Sequence, residues 1–264
     1  MGASFQCIIT SQIYLHNNMD WTDQAFVLGA RRHGESSAVV QLLTLEHGRH
    51  AGLINGHVSI SKRGLTEPGN FVQATWRGRL PEHLGRVKLE VIKSYSSLFL
   101  NDPGRLSALS SACAVAEMVL PERQIYPEVF NATRVLMDSF NNNDNNVWLA
   151  VYVYWELGLL KEIGFGLDLM TCAATGVITN LTCVSPKTGR AVSQEAGLKY
   201  HSKLLKLPSF LLDIHADKLN ISISDIKDGL TLTGYFLTQH VFNQFNRKAP
   251  GARERLIYFI NNKF

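Results

Sequence analysis

The sequence predicts an α+β chain of two domains, a five-stranded amino-terminal barrel followed by an all-α carboxy-terminal domain with an irregular loop region. Three observations predict it. Up to Ser94, short apolar runs alternate with polar residues between glycine-bearing turns. Beyond Asn101-Asp102-Pro103-Gly104 the apolar spacing becomes helical. The third is charge: the 264 residues carry a formal net charge of +4, and residues 1–95 hold ten Lys/Arg against seven Asp/Glu, so most of the excess falls on the barrel.

The first hairpin is read from Gln24 to Leu45, two apolar runs joined by the basic turn Arg31-Arg32-His33-Gly34-Glu35. A second turn, Glu46 to His50, leads to the run starting at Ala51. Ser59 to Pro68 reads as a polar loop carrying Lys62 and Arg63. The clearest strand is Phe71 to Leu80. Its alternation puts Val72, Ala74, Trp76 and Leu80 on a core face and Gln73, Thr75, Arg77 and Arg79 on a wet one. Arg86 to Ser94 repeats the pattern, with Val87, Leu89 and Val91 opposed to Lys88, Glu90 and Ile92. Five short strands with glycine at the corners fit a partly open barrel of the oligonucleotide-binding type.

In the second domain, Leu106, Leu109, Cys113 and Ala116 make one helical stripe stopped by Pro121, and a further helix covers Glu128 to Phe140. Asn141 to Asn146 has the composition of a connection. Trp148, Val151, Tyr152, Trp155 and Leu159 fall on one face of a buried helix. Gly164 to Gly197 is irregular and contains the turn Ser185 to Arg190. A late helix spans about Asp225 to Phe245 with Leu230, Leu237, Val241 and Phe245 along one side, and the last, Ala252 to Asn261, buries Leu256, Phe259 and Ile260.

The most apolar run, Val147 to Leu160, is interrupted by Glu156 and is shorter than the roughly 20 residues needed to span a bilayer. Residues 1–18 lack the positive head of a signal peptide, and Met19 reads as a start, which makes the preceding segment an extension expected to be disordered. Cys7, Cys113, Cys172 and Cys183 form no Cys-x-x-Cys pair and fit reduced thiols in a cytoplasm. The domains are therefore expected at 19–98 and 99–264, with the loop region at 164–197.

Enzymatic signatures are incomplete. Lys187-Thr188 lacks the glycines of a phosphate-binding loop, and His33-Gly34-Glu35 lacks the Pro-Cys-x-x-Cys of a zinc deaminase. His47, His50 and His57 have no fixed shared face for a metal. The chain reads as non-enzymatic and its basic strands as a polyanion surface. Arginine outnumbers lysine seven to three up to Tyr95, and its planar fork bonds two phosphate oxygens at once. The DNA-binding candidates are Arg31, Arg32, Arg49, Lys62, Arg63, Arg77, Arg79, Arg86 and Lys88. Two other classes stay open: a generic barrel-containing RNA-binding or scaffold protein, and a hydrolase using Asp168, Asp225 and Asp228.

From about Asp20 onward the chain resembles the bacterial RecO recombination-mediator family. The resemblance rests on Val27-Leu-Gly-Ala-Arg-Arg-His-Gly-Glu35, Leu42-Leu-Thr-Leu-Glu-His-Gly-Arg49, Gly69-Asn-Phe-Val-Gln-Ala-Thr-Trp-Arg-Gly-Arg79 and Glu156-Leu-Gly-Leu-Leu-Lys-Glu-Ile-Gly-Phe-Gly-Leu-Asp168, in that order. It implies an oligonucleotide-binding barrel, a helical domain, binding of single- and double-stranded DNA, strand annealing, and help in loading RecA onto strands coated by single-strand-binding protein. The implied partners are RecR and the acidic, apolar-ended tail of that coating protein, and the implied place is the cytoplasm, at the nucleoid. Lys199, Lys203, Lys206, Arg247, Lys248, Arg253 and Arg255 are the candidate rim for such a tail. Many relatives carry a four-cysteine zinc module here, but only Cys172 fits it, with Thr175, Ser193 and Ala196 at the other ligand positions, so no metal and no cofactor is expected.

Overall fold

The computed structural model describes residues 19–57, 59–80, 83–142, 144–212 and 221–263, and the expected amino-terminal extension lies outside them. Strands β1 (Met19–His33) and β2 (Ser37–Thr44) pair antiparallel around the basic turn, with Arg31 opposite Val39 and His33 opposite Ser37. Strand β3 (Arg49–Asn55) follows. The segment read as a polar loop instead contains a short helix, α1 (Ile60–Leu65), whose six residues are too few for a periodic apolar signal. Strands β4 (Asn70–Gly78) and β5 (Gly85–Ser94) complete the sheet.

Hydrogen bonding runs in the order β1-β2-β3-β5-β4, and β4 returns to β1, closing the barrel. Closure at the β3–β5 seam is narrow, because these parallel strands pair only at Gly52↔Gly85 and Leu53↔Arg86. Inward side chains, among them Val27, Val40, Leu42, Val72, Trp76 and Leu89, fill the barrel. Leu80, expected to face inward, lies beyond the end of β4 and is 44% exposed. Val91 is also exposed, near the bulge between Phe71 and Val72 that shifts the β4–β5 register.

Part of the outer face of β1, β2 and β4, around Phe26, Leu43 and Phe71, is covered. Phe26, Leu28, Leu43, Phe71 and Tyr95 join the core of the helical part, and the Phe26 ring lies 5.3 Å from that of Phe130. Helix α2 (Tyr95–Leu98) is a single turn leading to α3 (Pro103–Val119). Asp102 caps α3 by accepting from the Arg105 N–H, and Pro103 sits in the first turn, where its missing N–H costs nothing. Helices α4 (Pro127–Ser139) and α5 (Asn145–Leu160) follow, the latter burying Trp148, Tyr152, Trp155 and Leu159 as the spacing predicts.

Past α5 the chain turns at Gly164, whose φ is +90°. The irregular region then forms a small sheet of β6 (Leu181–Val184), β7 (Ala191–Ser193) and β8 (Leu205–Lys206) in the order β7-β6-β8, with α6 (Gln194–Gly197) between β7 and β8. Helix α7 (Ile223–Leu237) starts with a reciprocal capping box between Ser222 and Asp225, and shorter turns carry it on to Phe245. The last helix, α8 (Gly251–Lys263), packs along α3. Among the described residues no helix is long and apolar enough to cross a membrane.

The turn before β3 makes a sharp prediction. Gly48 has φ +68°, and a Cβ there would stand 2.1 Å from the backbone oxygen of Gln124. Gly48→Ala is expected to lose about 1–2 kcal/mol of stability, read as a lower urea midpoint with an unchanged slope.

Candidate nucleic-acid interface

The strand register assembles one row of side chains across the outer surface. Arg31 is opposite Val39, Val39 opposite Leu53, Leu53 opposite Arg86, and Arg86 opposite Arg77. Arg31, Arg77 and Arg86 are exposed. Like charges on directly opposed residues repel, so the Arg77–Arg86 pairing costs stability unless an anion joins it. Asp20, 3.7 Å from Arg77, answers only part of that charge, and both side chains are well exposed. Lys88 lies one pleat along β5 from Arg86. Its ammonium is 2.7 Å from Glu90, whose carboxyl it holds below the ordinary carboxylate range.

Arg77, Arg86 and Lys88 border a cleft of about 960 Å³ at the β3–β5 seam, with Leu65 of α1 at one side; Arg31 does not line it. A smaller pocket of about 170 Å³ brings together Arg32, Glu35, Ser37, His57 and Arg63. Arg32 donates to the carbonyls of Gly34 (3.3 Å) and Glu35 (3.2 Å), which fixes the basic turn. Arg79 is exposed just beyond β4. The Lys62 side chain lies outside the described residues.

Arg49 does not belong to this surface. Its guanidinium donates to the Leu120 carbonyl (2.7 Å), to Gln41 (2.9 Å) and to Glu122 (3.3 Å), tying the barrel to the end of α3. All three of these partners are structural.

In the helical part, a groove of about 430 Å³ opens between α7 and α8, walled by Leu205, Leu230, Tyr235, Ile257 and Ile260, with Lys227 beside it. Sequence reasoning missed Lys227, although it lies three residues before the predicted core residue Leu230 and so near the same helix face. Arg253 also reaches this groove, but it is no rim residue. It is 4% exposed and bonds Glu156 through Nε (2.7 Å) and Nη2 (2.9 Å). Lys199, Lys203, Arg247, Lys248 and Arg255 are exposed and do not line the groove. Lys206 lines a second pocket and lies 3.4 Å from Asp228.

Of the acids considered for hydrolysis, Asp225 and Asp228 line one pocket with Lys206, and Asp168 lies apart from it. Asp168 pairs with Arg190 at 3.1 Å, Asp225 caps α7, and Asp228 faces Lys206. At the position of the zinc module, Cys172 is buried and its sulfur accepts from the Ser193 N–H at 3.3 Å, with Ser193 Oγ at 3.4 Å. Burial opposes ionisation of this thiol, but hydrogen bonds from Ser193, Thr175 and the backbone of Ala174 outweigh it and bring the pKa to about 6. Cys183, off the module's register, is buried.

With this layout in hand, family comparison is decisive. The amino-terminal family model of recombination protein O matches residues 19–95 and the carboxy-terminal one residues 100–249. The chain belongs to the RecO family. The curated protein named DNA repair protein RecO from Rhodospirillum centenum is 48% identical over 241 residues, covering 90% of this chain and 94% of that one. Those of Rhodospirillum rubrum and Phenylobacterium zucineum are 42% and 45% identical, covering 90% and 89% of this chain and 95% of each relative. The junction between the two RecO models, residues 95–100, falls where β5 gives way to α2.

Proposed function

We propose that the chain acts in DNA repair as a strand-annealing mediator: it binds single- and double-stranded DNA on the outer face of β3, β5 and β4, pairs complementary strands, and with RecR helps RecA onto strands covered by single-strand-binding protein. The observation that carries this reading is the opposed pair Arg77 and Arg86 with Arg31 in the same row. A cationic row of this kind replaces the counterions of two phosphate chains and lets them approach, with no bond made or broken. The reading is therefore non-enzymatic. Contacts to phosphate position a strand without reading its sequence.

The groove between α7 and α8 is our candidate for the acidic, apolar-ended tail of the coating protein. Apolar walls suit the terminal side chain, and Lys227 suits the carboxylate. Glu substitution at Lys227 is the test of that site.

The DNA surface is tested by anisotropy of a labelled oligonucleotide across a salt series. Arg77→Ala with Arg86→Ala is expected to weaken all sequences alike and flatten the slope of log K against log salt by about two units. A double variant with unchanged affinity and slope would remove DNA from this face. Retained binding of RNA in preference to DNA would favour the generic RNA-binding reading.

A further inference from the structure

We propose that the cleft at the β3–β5 seam receives an unstacked nucleobase, giving single strands a salt-independent share of binding that duplex DNA lacks. The inference rests on the DNA-binding reading and adds to it a second kind of contact.

Three features of the cleft lead there. Its volume, about 960 Å³, lies in the range of small-ligand pockets, roughly 300–1,000 Å³. Its lining includes Ile54, Val87 and Leu89, all buried side chains of the barrel interior, with Leu65 beside them, while Arg77, Arg86 and Lys88 stand at the mouth. Finally, the ladder stops at Leu53↔Arg86 although β5 runs on to Ser94. Beyond that pair the β3-side edge of β5 has no strand partner, and among the described residues no backbone hydrogen bond outside the strands and helices reaches it.

An apolar surface next to a strip of open peptide groups matches the two sides of a base. The ring face is apolar, and the edge carries donors and acceptors. A phosphate on Arg77 or Arg86 leaves its base within reach of the cleft. Bases in a duplex are already stacked and paired, and extracting one costs a few kcal/mol. Only a single strand offers a base freely. An extended acidic peptide, added as a strand on the same β5 edge, is the competing occupant.

The test compares a thymidine oligonucleotide with one of equal length whose central residues are abasic. Binding to the intact chain is measured by anisotropy and extrapolated to 1 M salt. Phosphate contacts are the same in both, so the ratio reports the base. We expect the thymidine strand to bind about fivefold more tightly, the low end for base stacking because the floor has no aromatic ring. Leu53→Trp, and separately Thr75→Trp, should narrow the mouth and bring the ratio close to one. Should one variant fail to fold, the other and the wild-type ratio still decide. Equal binding of both strands to the wild type overturns the base site while leaving the DNA reading intact. Absence of binding to either strand and to duplex overturns the DNA reading itself. A peptide of alternating Glu and Val that competes with the thymidine strand, together with a ratio of one, would assign the cleft to a peptide instead.

Discussion

Glu156→Ala is expected to remove about 3–5 kcal/mol of folding stability. Glu156 has no exposed side-chain surface and Arg253 only 5%, so the pair is fully desolvated. Its geometry is close to complete. Arg253 donates through Nε and Nη2 to the two carboxylate oxygens and through Nη2 to the Leu230 carbonyl at 2.9 Å. Thr233 donates to the carboxylate, and Tyr152 does so at 3.2 Å, itself bonded to Ser111 at 2.6 Å. Burial and the neighbouring carboxylate push the Tyr152 phenol well above its ordinary pKa, so it stays a neutral donor. Burial works against the guanidinium charge, and Glu156 more than restores it. Deleting the carboxylate strands that charge in the core joining α3, α5, α7 and α8. Urea unfolding checks the figure, and a loss under about 1 kcal/mol would mean that water reaches Arg253. Replacing the whole pair by Glu156→Leu with Arg253→Met should regain most of the loss, since two well-packed apolar chains need no solvation. For the same reason, charge reversal at Arg253 unfolds the chain before it can report on a peptide groove. Lys227 is the residue to reverse.

Arg253 also shows what a linear reading can and cannot see. Its partner lies 97 residues away, and nothing in Arg253-Glu254-Arg255 distinguishes a buried guanidinium from its exposed neighbour. Arg49 is the same case, held by Glu122 and Leu120 across 73 and 71 residues. Alternation, by contrast, is local. Val72, Ala74 and Trp76 face inward and Arg77 outward because successive side chains of a strand must point to opposite faces. Alternation alone therefore places Arg77 and Lys88 opposite the core face of their strands. The register that sets Arg86 against Arg77 and Leu53 depends on pairing between strands, which alternation within each strand leaves open. Helix α1 and the three-stranded module were illegible for another reason. Their elements run two to six residues, below the length at which either period shows.

Acidification from pH 7 to 4.5 is expected to destabilise the chain by roughly 2–3 kcal/mol more than it destabilises His50→Leu. His50 is 6% exposed at the inward side of β3, and neither ring nitrogen has a hydrogen-bond partner among the described residues. Its ring meets the rings of Trp21 and Trp76 edge-on, at 5.1 and 5.0 Å. Burial lowers its pKa to about 4, helped by the charges of Arg123 and His47 and opposed by the His47 backbone and Glu122. The ordinary value in an unfolded chain is about 6.5. Between the two values the unfolded chain holds the proton and the folded one does not, so protons favour unfolding. The folded state is spared this penalty above pH 6.5 and bears it in full below about pH 4. Ionisable groups that the two proteins share cancel in the difference between wild type and variant. Leucine fits because the buried imidazole makes no hydrogen bond there and packs on the edges of two rings, so at pH 7 the variant should unfold at a urea concentration close to that of the wild type. Parallel pH profiles for the two proteins would show that His50 finds a partner when protonated. A profile steeper in the wild type, with its midpoint between pH 4 and 6.5, would establish that this end of the barrel holds its histidine neutral beside Arg49, the residue that ties the barrel to α3.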